Sequence, residues 1–265
     1  MIAFESPRLI ADIGGLYARF AIETSYGEFA QQRSLRCADF PSFEAAMAAY
    51  LASLKSAPVA HAALAIANPV DGDQVRMTNY HWQFSIEETR VNLGLDTLVV
   101  VNDFTSLAMA LPRLGPQDFR QVGPGQAVKN SVIGLLGSGS GLGVSGLIPS
   151  GDGWTSLGSE GGHASFAPSD AREAAVLNYM WRQFDHVSFE RLLSGPGLEL
   201  TYMAIAELNK TQVKALSAPE ITRCALEDKD PLCTQTLEVF CNMLGTAASN
   251  LALTLGATGG IYIGG

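Results

Sequence analysis

A strand, a glycine turn and a second strand follow one another twice in this chain, and that repetition constrains the fold more than any other feature. The first copy is Leu9-Ile10-Ala11-Asp12-Ile13-Gly14-Gly15-Leu16-Tyr17-Ala18-Arg19-Phe20, an apolar run that reaches an aspartate, turns through two glycines and leaves as an apolar run again. The second runs from Ser131 to Ile148 and turns at Gly137-Ser138-Gly139-Ser140-Gly141. Glycine turns let backbone N–H groups close on an anion with no Cβ in the way. Two such hairpins, each opening an α/β half, can face one another across a cleft and hold the two ends of a polyphosphate. Taken alone, the first turn also reads as a plain β-hairpin connection. Asp12, at the end of the first strand, suits Mg²⁺ held directly or through water, as a hard cation on phosphates requires. The second turn lacks a glycine at Leu142 and has no helix behind it, so a Rossmann dinucleotide site is rejected.

The segments between the hairpins supply candidate partners. Phe43, Met47, Tyr50, Leu51 and Leu54 recur at helical spacing. Ala62–Ala67 is a short strand closed by Asn68-Pro69-Val70-Asp71-Gly72. Thr97–Val101 is a continuous apolar run that reads as a buried strand. It delivers Asn102 and Asp103 to its carboxyl end, ahead of a helix expected over Ser106–Leu114. Ligands of open α/β sheets sit outside the carboxyl ends of strands, which is where a catalytic carboxylate belongs. The alternative role for either residue is to cap the helix, worth about 1 kcal/mol. Gly115–Lys129, rich in Gly, Pro and Gln, marks a boundary between domains 1–115 and 116–265.

In the second half, Trp154–Ser159 reads as a strand running into Glu160-Gly161-Gly162-His163, a carboxylate and an imidazole well placed to bind hydroxyls. His163 is open to a structural role as well. Val187–Gly197 reads as a helix closed by Gly195 and Pro196, with Glu190 near its start. Asp230-Pro231 opens a long helix that Gly256 stops. One more strand, Gly259–Ile263, ends in Gly264-Gly265. A buried strand with no helix after it reads as a C-terminally truncated fold.

Charge removes several classes of function. Charged residues make up 16% of the 265 and the net charge is −9, so no basic surface is available for nucleic acid or anionic lipid. The first residues lack a signal-peptide pattern and no apolar run is long enough to span a bilayer, so a cytoplasmic protein is expected. Four cysteines show neither C-x-x-C spacing nor a disulfide framework, and the four histidines show no zinc-binding spacing.

Together these blocks resemble the bacterial glucokinases of the hexokinase and actin-like superfamily. The resemblance rests on Ile10–Gly15 with Ala18-Arg19-Phe20; Met77-Thr78-Asn79 with Trp82 and Phe84-Ser85; Asn102-Asp103-Phe104-Thr105; Gly139–Val144; Glu160–His163; Glu190–Gly197; and Gly259–Gly265, all in one order. It implies two α/β, RNase H-like domains flanking a cleft that take D-glucose and ATP with Mg²⁺ and make glucose 6-phosphate, the opening reaction of glycolysis. Asp103 would accept the proton of the sugar 6-hydroxyl, and Asn102, Glu160, His163 and Glu190 would hold the other hydroxyls. Asp12, Gly14, Gly15, Gly137, Gly139, Ser140 and Gly141 would serve the phosphates, Asp12 as the metal carboxylate, with Gly264 and Gly265 near the adenosine. A homodimer is the family's expectation.

Two departures set this chain apart. After the glycine pair the family has Thr-Asn, whereas this chain has Leu16-Tyr17, which removes phosphate donors and adds bulk beside the turn. The family also continues past Gly265. The alternative these departures raise is a sugar-binding protein without catalysis.

Overall fold

The computed structural model describes residues 3–54, 58–78 and 80–264. Asn79 and Gly265, both named in the motifs above, lie outside the described residues. The chain divides into two compact units, Met1–Leu107 and Ala108–Gly265.

In the first unit, β1 (Ala3–Ile13), β2 (Tyr17–Ser25) and β3 (Glu28–Arg36) form an antiparallel meander. Helix α1 (Phe43–Ala52) follows, capped by the Ser42 hydroxyl, which accepts from Ala45 N. Next come β4 (His61–Ile66), β5 (Gln74–Arg76), β6 (Gln83–Ser85), α2 (Ile86–Asn92) and β7 (Thr97–Asn102). The sheet order is β3-β2-β1-β4-β7, with β1, β4 and β7 parallel. Its core closes around Leu9, Ile13, Phe43, Met47, Leu64 and Trp82, all buried. Phe20 stacks on Tyr50 at 4.9 Å, and Phe43 meets Trp82 edge to face at 6.2 Å.

The strand β7 corrects one expectation. It lies at the sheet edge, and Val99 in its middle is 47% exposed while Val100 beside it is buried. A strand covered on one face alternates, whatever the hydrophobicity of its residues, and the neighbouring central strand β4 alternates in the same way. Helix α3 (Asp103–Ala110) also starts earlier than the expected Ser106, because the Asn102 side chain already accepts the N–H groups of Phe104 and Thr105, at 2.9 and 3.1 Å.

The second unit repeats the plan. β8 (Ile133–Ser138), β9 (Leu142–Ser150) and β10 (Gly153–Ser159) are an antiparallel meander, and β11 (Ile261–Ile263) adds in parallel beside β8. The order β10-β9-β8-β11 has the same strand senses as β3-β2-β1-β4, so the repeat read from the two hairpins is a repeat of sheet topology. Helices α4 (Ala171–Trp181), α5 (Phe189–Leu192), α6 (Gly195–Leu208), α7 (Ala218–Arg223) and α8 (Pro231–Leu255) build the rest. Met180, Leu192, Ile205 and Met243 are fully buried in its core.

The stretch Val187–Gly197 is two helices rather than one closed by Gly195 and Pro196. The short α5 stops at Leu192, and Gly195 and Pro196 open α6, with the Ser194 hydroxyl accepting from Gly197 N at 3.1 Å. Proline fits the first helical turn because its missing N–H would be unpaired there anyway. A methyl on Gly197 would run into the carbonyl of Leu192, so the join of the two helices requires glycine. The long α8 ends as expected on Gly256, whose φ of 59° is left-handed.

All four cysteines are free, with Cys37 and Cys233 buried. Among the described residues, no helix is long and apolar enough to cross a membrane.

Candidate active site

Parallel register gathers the first half of the site. Ile13 pairs with Ile66 and Ile66 with Asn102, so β1, β4 and β7 end at one level. The Gly14-Gly15 turn, the Asn68 loop and Asn102-Asp103 therefore share one end of the sheet, although 34 residues separate Asn68 from Asn102. The turn is held by its backbone: Gly14 N donates to Tyr17 O at 3.0 Å and Cys37 N donates to Leu16 O at 3.0 Å. Those bonds leave the side chains at 16 and 17 out of the turn's geometry, and Leu16 is 78% exposed. Gly15, Leu16, Tyr17, Arg36, Ala38 and Tyr80 line a cavity of about 250 Å³ beside it.

Asp103 is half-buried at the first turn of α3. Its Oδ1 accepts from Phe104 N at 2.8 Å and from Asn102 Nδ2 at 3.0 Å, while Oδ2 has no hydrogen bond among the described residues. Burial pushes its carboxyl above the ordinary aspartate value, opposed by the Phe104 N–H and reinforced by the negative charge of Asp12. A carboxylate with one oxygen fixed and the other open, and with raised basicity, has the form of a general base. Asn102 and Asp103 accept the first N–H groups of the helix through their Oδ1 atoms, which is the capping role, and Asp103 Oδ2 is left open by it.

Two residues of this half carry no site role in the sequence reading. Arg19 lies opposite Asp12 in the β1–β2 register, and its Nη1 reaches Asp12 Oδ2 at 2.7 Å. The hairpin register was the signal that could have found it. Asn68 is buried, accepts Thr78 N at 2.9 Å, and offers its carbonyl to Asn102 Nδ2 at 3.4 Å. Its place at the end of a strand was the only hint.

The second unit gathers the other candidates. The turn Gly137–Gly141 joins β8 to β9, and Gly264 N donates to Leu136 O at 3.0 Å, which sets Gly264 beside that turn. Glu160 and His163 bracket a 3₁₀ turn after β10, with His163 Nε2 3.8 Å from Glu160 Oε2 and 3.9 Å from Glu190 Oε1. Glu190, on α5, accepts Leu142 N through Oε2 at 2.9 Å. Glu160, His163 and Glu190 thus form one cluster of acceptors and an imidazole, of the kind that pairs several hydroxyls. Asn102 and Asp103 stand in the first unit and these three in the second.

Among the described residues, no group of three or more His, Cys, Asp or Glu is placed to hold a metal. Asp12, the carboxylate expected from the sequence to take Mg²⁺, is paired with Arg19 at 2.7 Å.

The family model described as Glucokinase matches residues 9–265. The chain is 57% identical over 262 residues to the bifunctional protein glk of Paraburkholderia xenovorans, covering 98% of this chain and 41% of that relative. It is 50% identical over 259 residues to the glucokinase of Chromobacterium violaceum, covering 98% of this chain and 74% of the other. The chain thus spans about two fifths of the length of the bifunctional relatives it matches. A crystal structure of glucokinase from an Antarctic psychrotroph superposes with a TM-score of 0.85 at 37% identity, covering 99% of this chain and 83% of that one. The repeated sheet topology is that of the actin-like and hexokinase-like fold. With the motif blocks, the repeated sheets and these matches in agreement, the chain belongs to the glucokinase family.

Proposed function

We propose that this chain transfers the γ-phosphoryl group of ATP to the 6-hydroxyl of D-glucose, giving glucose 6-phosphate. The observation that carries this reading is Asp103: half-buried, raised in basicity, one oxygen open, at the same sheet end as the Gly14-Gly15 turn. Phosphoryl transfer needs little covalent chemistry from a protein. It needs the nucleophile positioned, a base in reach of its proton, and the phosphate charge met.

In this scheme Asp103 Oδ2 accepts the proton of the 6-hydroxyl as that oxygen attacks phosphorus. Asn102 keeps Asp103 oriented and, with Glu160, His163 and Glu190, holds the remaining hydroxyls. Backbone N–H groups of the two glycine turns meet the phosphates, and Gly264 approaches the adenosine side. Asp12 is the residue that would hold Mg²⁺, which neutralises phosphate charge when bound. Glycolysis, a cytoplasmic location and a homodimer carry over as family expectations.

The test is ATP-dependent glucose phosphorylation by coupled assay, beside calorimetry with D-glucose. Turnover that Asp103→Asn removes, with D-glucose binding retained, supports the assignment. Binding without turnover by the unaltered chain would refute it.

A further inference from the structure

The second glycine turn and the sugar cluster meet at a single backbone unit, that of Leu142, which is 5% exposed. Its N–H donates to Glu190 Oε2 at 2.9 Å. Its carbonyl packs directly against Gly162, where an added methyl would collide with the oxygen. On the turn's other side, Gly195 N donates to Gly139 O at 2.9 Å. A methyl on Gly141 would in turn run into the Glu190 carboxylate. The turn is therefore held by the same segments that carry the sugar candidates.

We propose that Glu190 is a positioning residue for the Gly137–Gly141 turn, so that sugar hydroxyls and nucleotide phosphates are coupled through its one carboxylate. This rests on the function proposed above. The two oxygens of a carboxylate are fixed in one plane. Oε2 holds the Leu142 N–H, and Oε1 faces His163 at 3.9 Å. A hydroxyl donating at Oε1 therefore fixes the orientation in which Oε2 supports the turn, and a phosphate that orders the turn fixes the orientation offered to the hydroxyl. Coupling of this kind is reciprocal by thermodynamic necessity.

The test measures each ligand alone on the 265-residue chain: D-glucose without nucleotide, and AMPPNP with Mg²⁺ but without sugar. Gly141→Ala, a change in the phosphate turn, is expected to weaken D-glucose binding about tenfold or more, the scale of a lost hydrogen bond to a charged group. Gly245→Ala, in α8 and with nothing within 4 Å of the added methyl, leaves D-glucose binding as it is. Glu190→Ala weakens AMPPNP by a similar factor. Glu190→Gln, whose amide oxygen still accepts the Leu142 N–H, restores AMPPNP binding while D-glucose binding stays weak.

Unchanged D-glucose affinity in Gly141→Ala overturns the coupling and leaves the proposed function standing. Equal AMPPNP affinities for Glu190→Ala and Glu190→Gln overturn it as well, and that pair decides the matter alone if Gly141→Ala fails to fold. Failure of the unaltered chain to bind D-glucose overturns the proposed function and the coupling with it.

Discussion

At residue scale, Asp103 is where sequence and structure meet most closely. Its position after an apolar strand was readable, because strand ends are where open α/β sheets bind. Its environment was not, since burial and the charge of Asp12 depend on segments far away in the chain. The raised pKa has two consequences of definite sign. In its proposed role as base, Asp103 would work only when ionised, so activity should fall as pH drops through its folded-state value. Asn102 Nδ2 donates to the ionised carboxylate and holds that value down, so Asn102→Ala should move the acid limb of the kcat profile to higher pH. For stability, a carboxyl with a raised folded pKa contributes most below its unfolded value and loses that contribution as pH rises through the folded one. Thermal melts of Asp103→Asn should therefore show a higher Tm than the parent at neutral pH, with the gap closing in acid. The same substitution should lower kcat by roughly 10²- to 10⁴-fold. Leu16 and Tyr17 differ from Asp103 in being exposed on a turn whose backbone bonds hold without them. Leu16→Thr with Tyr17→Asn should leave stability within about 0.5 kcal/mol. If those positions face phosphate, the added donors should raise the phosphorylation rate, by up to about 10²- to 10³-fold. An unchanged rate would show that the exposed pair lies away from the nucleotide.

At the scale of elements, the sequence was most informative where local chemistry decides. Ser42, Ser85 and Asp230 cap their helices as residues of that type do, and Gly256 ends α8 because the left-handed conformation is open to glycine. The Ser194–Gly197 segment was harder. Glycine and proline end helices and also begin them, and what decided the case was the Ser194 hydroxyl turned onto Gly197 N. Ser194→Ala should cost about 1 kcal/mol in chemical denaturation, or up to about 2 because the cap is buried. A loss below a few tenths would mean that the Gly195–Gly139 hydrogen bond, not the cap, holds the start of α6. The misjudged strand β7 teaches the reverse case. A run of valines looks buried on both faces, and only the packing of the sheet, open on the face that carries Ala63 and Val99, shows otherwise.

For the whole molecule, the repeat of two hairpins was enough to expect two related α/β halves, and the two sheets share that topology. Ligand binding should register on the entire fold. D-glucose at about 100 times its Kd would add roughly 2.7 kcal/mol to stability by mass action. The melting temperature should therefore rise with D-glucose concentration and stay put with L-glucose; equal shifts for both would argue against a built sugar site. What the sequence determined by itself was whatever a few neighbouring residues settle: two glycine turns, helix caps, the carboxylate at the end of β7, and the motif order that marks the family. Tertiary structure alone decided which of these meet. Parallel pairing of β1, β4 and β7 brings Asp103 level with the Gly14-Gly15 turn, and Glu190 reaches Leu142 N across 48 residues of chain. Such meetings depend on strand register and packing between distant segments, and local spacing carries no record of either.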